Sequence, residues 1–291
     1  MNYKFKELIK KALKEDIGKK DITTQLLIPN KVVKAVLLAK EDFLVCGLDF
    51  ASQVFKTYDP AIKFIPKTVD GKWIKKGKIL ALIEGKARSI LSAERVALNF
   101  LSLLSGIATK TSIFIKKIKP FKVKIMDTRK TLPLLRDLEK YAVRIGGGFN
   151  HRFKLDEMVL IKDNHLKIIN SKFKIQNSKD LKLPSQRLKE IVERLRKKLP
   201  KSIKIEIEVK NLKEFKEALK AKPDIIMLDN MSLKNIKEAV KLRKNLPVKL
   251  EASGGINLKN IRKIASTKID MISVGELTHS IKSVDISLEI L

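Results

Sequence analysis

The chain has 291 residues, 44% of them apolar, which is enough to bury a large core as one barrel-sized unit or two domains and excludes a disordered protein. No uninterrupted apolar run approaches the length of a membrane span, and the first residues lack the apolar segment of a signal peptide, so we expect no membrane partner and a cytoplasmic protein. The formal net charge is +31, but the cations are spread along the chain and aromatic residues make up only 5%, so we do not expect nucleic acid as a partner.

The first hundred residues predict a mixed α/β unit. The predicted elements are a helix to about residue 13, a strand at 32–39, a helix near 50–58, strands within 72–85 and a long helix at 89–109. Glycines punctuate the strand region, and the last helix leaves the unit. We therefore expect an N-terminal α/β open sandwich domain at residues 1–108.

From residue 109 onward, short β-branched runs alternate with amphipathic helical stretches. The predicted strands are 123–126, 158–161, 203–209, 225–228, 248–251 and 271–274, and the helices between several of them are 212–220, 233–244 and 258–265. Alternation of strand and helix indicates a parallel sheet, and this number of repeats favours closure into a barrel. We expect an incomplete TIM-like α/β barrel at 109–275, with a final helix at 276–291 that packs back on the first domain.

Acidic residues alternate along one predicted barrel strand. Glu206 and Glu208 share the face opposite the isoleucines, and in a barrel strand that face is the interior. Carboxylates there are costly unless they bind cations, hydroxyls or metal. Together with Asp229, which ends the next strand, this strand gives two acidic groups suited to sugar hydroxyls and hydrated Mg²⁺.

Glycine-containing loops follow the last two predicted strands. Ser253, Gly254 and Gly255 precede a predicted helix and expose backbone N–H groups, which form a ready cradle for phosphate. Gly275 and His279 lie in the corresponding loop after the final strand. Phosphate sites built from the last two loops are common in barrel enzymes.

Cationic residues follow the first two predicted barrel strands. Guanidinium groups bind carboxylates and phosphates through two parallel hydrogen bonds, so their presence beside histidine and glycine predicts an anionic small molecule. Lys162 follows a buried-strand pattern, and its side chain should therefore face the pocket. The predicted cationic side consists of Arg129, Lys130, His151, Arg152 and Lys162.

The order and spacing of short motifs along nearly the whole chain resemble the quinolinate phosphoribosyltransferase family, also called the decarboxylating nicotinate-nucleotide pyrophosphorylases. The motifs that carry the resemblance are Asp21-Ile22-Thr23-Thr24, Glu94-Arg95-Val96-Ala97-Leu98-Asn99, Asp127-Thr128-Arg129-Lys130-Thr131, Gly146-Gly147-Gly148, His151-Arg152, Lys162-Asp163-Asn164-His165, Leu228-Asp229-Asn230, Ser253-Gly254-Gly255 and Leu277-Thr278-His279-Ser280. The lysine-rich segment 166–185 is longer than the short connection usual in the family.

This resemblance implies that quinolinate and phosphoribosyl pyrophosphate react to give nicotinate mononucleotide, pyrophosphate and carbon dioxide, in de novo NAD biosynthesis. It implies a homodimer, in which Arg95 reaches the site of the neighbouring subunit, and Mg²⁺ as the cofactor.

The resemblance also distributes roles among the candidate residues. Quinolinate would be bound by Arg95, Arg129, His151, Arg152 and Lys162. Glu208 and Asp229 would hold the ribose hydroxyls and, through water, Mg²⁺, and together with Lys162 they form the catalytic set. Phosphoribosyl pyrophosphate would also contact Lys130, Ser253, Gly254, Gly255, Gly275 and His279.

Two alternative functions remain open at this point. One is a related barrel protein with an altered substrate preference. The other is a phosphosugar lyase that uses Lys162 as an imine-forming nucleophile.

Overall fold

A computed structural model describes residues 3–176 and 184–291. The chain divides into two compact units, one made of 1–112, 138–147 and 280–291 and the other of 113–137 and 148–279. The domain boundaries expected from the sequence stay a prediction. Of the lysine-rich segment, residues 177–183 lie outside the described residues.

The elements of the N-terminal stretch agree with the predicted mixed α/β unit. They are α1 (Tyr3–Ile17), α2 (Ile22–Leu27), β1 (Val32–Ala39), β2 (Phe43–Leu44), α3 (Leu48–Tyr58), β3 (Lys63–Pro66), β4 (Trp73–Ile74), β5 (Ile79–Lys86) and α4 (Ala87–Ile118). Helix α2 begins where the Asp21 carboxylate accepts the N–H of Thr24, a side-chain cap that satisfies a free helix donor.

Helix α4 is longer than predicted and unusually apolar. The sequence has no uninterrupted apolar run as long as a membrane span. By length and composition, however, this helix could cross a bilayer, because an 18-residue window of it has a mean hydropathy of 1.4. Within the protein, 56% of that window is buried. This is the behaviour of a core helix, in which Ala97, Leu101 and Ile107 are fully enclosed.

The elements of the remaining stretch alternate as the sequence predicts. They are β6 (Lys124–Met126), α5 (Arg136–Ile145), β7 (Val159–Ile161), α6 (Asp163–Gln176), α7 (Pro184–Lys198), β8 (Ile205–Val209), α8 (Leu212–Ala221), β9 (Ile225–Asp229), α9 (Leu233–Arg243), β10 (Lys249–Ser253), α10 (Ile261–Ala265), β11 (Met271–Ser273), α11 (Glu276–His279) and β12 (Ile286–Ile290). All six predicted barrel strands are confirmed. The helix expected at 258–265 begins only at Ile261, so the glycines before it lie in a loop.

The C-terminal segment corrects the predicted helix at 276–291. Helix α11 ends at His279, and Ile286–Ile290 is a strand that pairs antiparallel with β1. The physical reason is the period-two alternation of apolar Ile286, Leu288 and Ile290 with polar residues, which suits a strand rather than a helix. The pairing places this segment in the first unit, whose main sheet has the order β12-β1-β5-β3.

The second unit contains a six-stranded sheet with the order β6-β11-β10-β9-β8-β7, and every neighbouring pair is parallel. This confirms the predicted parallel barrel-like sheet. Its fully buried apolar core includes Ile125, Ile207, Ile226, Leu250 and Ile272, one from each of five strands. Because the strands are parallel, their C-terminal ends meet at one edge, where the side chains that follow them converge.

Candidate active site

A cavity of about 580 Å³ lies at the C-terminal ends of the parallel strands. Its lining includes every candidate site residue predicted from the sequence except Arg95. These are Arg129, Lys130, His151, Arg152, Lys162, Glu208, Asp229, Ser253, Gly254, Gly255, Gly275 and His279. Residues from six separate strand ends are therefore brought to one pocket of the second unit.

The acidic side of the cavity is formed by the ends of β8 and β9. Glu208 is largely buried, and its Oε2 lies 3.4 Å from Nζ of Lys162, which is half exposed. Asp229 accepts a hydrogen bond from Nδ2 of Asn230 at 2.9 Å. The two carboxylates are thus held at the pocket wall with oxygens available to a ligand.

Two arginines form the cationic side of the cavity. Nη1 of Arg152 donates to the carbonyl oxygen of Met158 at 2.8 Å, which fixes the direction of the guanidinium. Burial, together with the charge of Arg129, lowers the pKa of Arg152. Among the described residues, the buried Nε of Arg129 has no hydrogen-bond partner. Two like charges with an unused donor are well prepared for an anion.

The loops after β10 and β11 are shaped by glycine. Gly254 has a φ of +86°, and a Cβ placed on it would lie 2.4 Å from the side chain of Asn230. Nδ2 of Asn260 donates to the carbonyl oxygen of Gly255 at 2.9 Å and fixes this loop. A Cβ on Gly275 would lie 3.0 Å from the ring of His279, so that both loops approach the cavity with bare backbone.

Beneath the cavity, two glutamates and a histidine form a buried cluster. Glu206 and Glu251 are both fully enclosed. Nε2 of His151 lies 3.1 Å from Oε2 of Glu206 and 3.5 Å from Oε2 of Glu251. Ser273 donates its hydroxyl to Oε1 of Glu251 at 2.6 Å. The sequence analysis placed Glu206 in the interior but overlooked Glu251, whose position between buried Leu250 and Ala252 could have indicated the same inward face.

The protonation of this cluster is set by burial and by its mutual charges. Burial, followed by the charge of Glu251, raises the pKa of Glu206 to about 7. For His151, burial alone would lower the pKa, but the carboxylates of Glu206 and Glu251 outweigh it and raise the pKa to about 10.

A hydrogen bond from the backbone N–H of Arg152 disfavours a second proton on the ring of His151. Nδ1 accepts the backbone N–H of Arg152 at 2.9 Å, which favours a neutral ring, whereas the two carboxylates favour the charged one. Both states carry a proton on Nε2, which faces the glutamates.

Arg95 is the one predicted site residue that the cavity does not contain. It is exposed on α4 in the first unit, where it lines a separate hollow of about 330 Å³ with Asn99 and Asp285 among others. Its contact with quinolinate stays a prediction.

The fold and this pocket define an α/β-barrel enzyme that binds anionic small molecules at the C-terminal ends of its strands. The particular family follows from comparison: the profile for the quinolinate phosphoribosyl transferase C-terminal domain matches residues 107–289, and that for the N-terminal domain matches residues 21–105. The chain belongs to the quinolinate phosphoribosyltransferase family, which confirms the resemblance drawn from the sequence.

Similar proteins support this membership over the full length of the chain. A probable nicotinate-nucleotide pyrophosphorylase (carboxylating) of Methanocaldococcus jannaschii is 46% identical, with 98% of this chain and 96% of the relative covered. The solved structure of the nicotinate-nucleotide pyrophosphorylase from Francisella tularensis has a TM-score of 0.88 at 38% identity, covering 99% of this chain and 96% of that one. The corresponding structure from Ehrlichia chaffeensis has a TM-score of 0.88 at 39% identity and covers all of both chains.

Proposed function

We propose that the protein transfers the phosphoribosyl group of phosphoribosyl pyrophosphate to quinolinate, with decarboxylation, to give nicotinate mononucleotide, pyrophosphate and carbon dioxide in NAD biosynthesis, in the cytoplasm. The observation that carries the proposal is one cavity that is lined both by two neighbouring guanidiniums, Arg129 and Arg152, and by two carboxylates, Glu208 and Asp229. A dicarboxylate and an activated sugar need this division of charge.

The cationic side is assigned to quinolinate. Arg129 and Arg152 bind its two carboxylates, and Lys162 adds a third positive charge, with His151 behind them. Each charge-assisted hydrogen bond contributes about 1.5 to 3 kcal/mol, so a few of them hold a dianion in water. Nicotinate carries one carboxylate and leaves one part of this cationic side without a partner.

The acidic side and the glycine loops are assigned to phosphoribosyl pyrophosphate. Glu208 and Asp229 bind the ribose hydroxyls, and Lys130 binds the pyrophosphate. The 5-phosphate is bound by Ser253, Gly254, Gly255, Gly275 and His279. The bare backbone of these loops and the limited space at Gly254 support that assignment.

Mg²⁺ fits the donor set on the acidic side, since this hard cation prefers carboxylate and water oxygens. Both carboxylates line the cavity, and we place the ion at Glu208 and Asp229 through water. When bound, the ion would neutralise charge on the pyrophosphate.

The chemistry needs positioning and charge rather than a protein nucleophile. As pyrophosphate departs, positive charge develops on the ribosyl ring, and the carboxylates of Glu208 and Asp229 stabilise it while the pyridine nitrogen attacks. The new C–N bond makes the nitrogen cationic. The neighbouring carboxylate then leaves as carbon dioxide, its bonding electrons stay on the ring carbon, and a proton replaces it.

A homodimer completes the proposed site. Arg95 is exposed on α4 and is assigned to the quinolinate site of the partner subunit. A shared site of this kind makes activity a property of the dimer.

The deciding experiment is an assay of nicotinate mononucleotide formation from quinolinate and phosphoribosyl pyrophosphate, with Mg²⁺ and with excess chelator. We expect product only with the metal, and at least tenfold weaker binding of nicotinate than of quinolinate, equivalent to about 1.4 kcal/mol. Equal binding of the two acids would favour a relative with altered specificity. Borohydride trapping of a substrate on Lys162 would favour the lyase alternative.

A further inference from the structure

The buried cluster below the cavity connects the barrel core to one of the proposed substrate-binding arginines. Glu206 on β8 and Glu251 on β10 flank β9 in the sheet, and both reach the single ring of His151. Burying two carboxylates is costly unless they are paired. In the described part of the chain, Oε1 of Glu206 has no hydrogen-bond partner, and Oε2 of Glu251 has only its 3.5 Å contact with Nε2 of His151. We therefore expect this buried cluster to have a function.

The ring of His151 is engaged at both nitrogens. Nε2 faces the glutamates, and Nδ1 accepts the backbone N–H of Arg152 at 2.9 Å. The backbone N–H of His151 donates to Oδ1 of Asp127 at 2.8 Å. With these contacts in place, neither ring nitrogen is turned toward a ligand in the cavity, although the ring lines its wall. The histidine therefore acts on the substrate through its neighbour.

That neighbour is Arg152. Its backbone is held by the imidazole, and Nη1 of its side chain is held by the carbonyl oxygen of Met158. A guanidinium that must present two parallel N–H groups to a carboxylate tolerates little rotation of the chain that carries it. We infer that Glu206 and Glu251 are positioning residues, which fix the ring of His151 and, through it, the backbone and guanidinium of Arg152 that bind quinolinate. The inference rests on the proposed function.

A metal site is the competing interpretation of the same three residues. Their ligand atoms lie within 4.8 Å of one another. However, a metal on Nε2 would require the remaining ring proton on Nδ1, where it would face the N–H of Arg152 instead of the acceptor that ligating histidines normally have. The hydrogen-bond arrangement therefore favours positioning over metal binding.

The test uses the full-length protein with Glu251→Gln and Glu206→Gln, which keep the side-chain shape but remove the charge. The matched control is Glu193→Gln, an exposed glutamate of α7. We expect the KM for quinolinate to rise about tenfold in the two cluster variants, while the KM for phosphoribosyl pyrophosphate stays within about twofold. The control should match the wild type. Equal increases in both KM values, or none, would overturn the inference.

A spectroscopic measurement makes the test independent of turnover. In the NMR spectrum of ¹⁵N-labelled protein, the Nε2–H proton of His151 should give a strongly downfield signal. This signal should move upfield in Glu206→Gln and stay unchanged in Glu193→Gln. If a glutamine variant fails to fold, Ser273→Ala removes only the hydroxyl bonded to Glu251 and should shift the same signal and the quinolinate KM in the same direction.

The outcomes separate the two proposals. Wild-type protein without nicotinate mononucleotide formation would contradict the proposed function, and the signal of His151 would still test the positioning contacts. Tight stoichiometric binding of Zn²⁺ or Mn²⁺ that disappears in both glutamine variants would replace positioning with a metal site. An unchanged signal in Glu206→Gln would remove the inference even in an active enzyme.

Discussion

The ammonium group of Lys162 lies 3.4 Å from the carboxylate of Glu208, so the cationic and acidic sides of the cavity meet at this pair. The pair connects the ends of two neighbouring strands, β7 and β8. It leaves Glu208 compensated in the free protein and places a positive charge beside the acidic side of the cavity.

Replacing this lysine tests its role. Lys162→Ala should lower kcat/KM by about 100-fold, since quinolinate loses a charged partner and Glu208 loses its counter-ion. Lys154→Ala, at an exposed lysine of the same region, is the control and should be unaffected. Nearly normal kinetics in the Lys162→Ala variant would contradict the assignment.

For quinolinate binding, we expect the geometry of the Arg152 side chain to matter more than its charge. Arg152→Lys keeps the positive charge but cannot form two parallel hydrogen bonds, so quinolinate binding should weaken by about 10- to 100-fold. Calorimetric titration with quinolinate measures the change, and Arg194→Lys on the exposed face of α7 is the control. Unchanged affinity would show that a point charge is sufficient.

The loop at Gly254 should not accept a side chain. Gly254→Ala combines a positive φ with a Cβ 2.4 Å from Asn230, and should lower the free energy of unfolding by about 1 to 3 kcal/mol and raise the KM for phosphoribosyl pyrophosphate. Gly77→Ala is a matched control, because Gly77 has a similar φ of +81° with no atom within 4 Å of the added Cβ. If both variants behave alike, the contact with Asn230 is unimportant.

Mixing variants tests the shared site. Arg95→Ala and Lys162→Ala should each be nearly inactive as homodimers, yet a hybrid dimer would combine one intact Lys162 with one intact Arg95 in one of its two sites. If the subunits exchange at random, half of the dimers are hybrids, and one of the two sites in each hybrid is restored. About a quarter of the wild-type activity should therefore return. No recovery, despite exchange shown by native mass spectrometry, would place Arg95 outside the active site.

Much of this arrangement could be predicted from local patterns. The six parallel strands could be predicted because β-branched runs separated by amphipathic helices are a short-range signal. The gathering of the residues after each strand at one edge is then a consequence of the parallel topology. The final segment was mispredicted because its alternation covers only five residues, and the strand that it pairs with, β1, lies about 250 positions away in the sequence. The helix after Gly255 starts late because Asn257 and Asn260 bond to the loop instead of extending the helix.

The sequence by itself determined the family, the parallel sheet and the set of charged residues that gather at its C-terminal edge, because motif order and strand period are properties of neighbouring residues. Only the tertiary structure decided that Glu251 meets Glu206 and His151, and that the two imidazole nitrogens face these glutamates and the backbone N–H of Arg152. Those contacts join three separate chain segments, and the orientation of a ring between them depends on which donors and acceptors surround it in space.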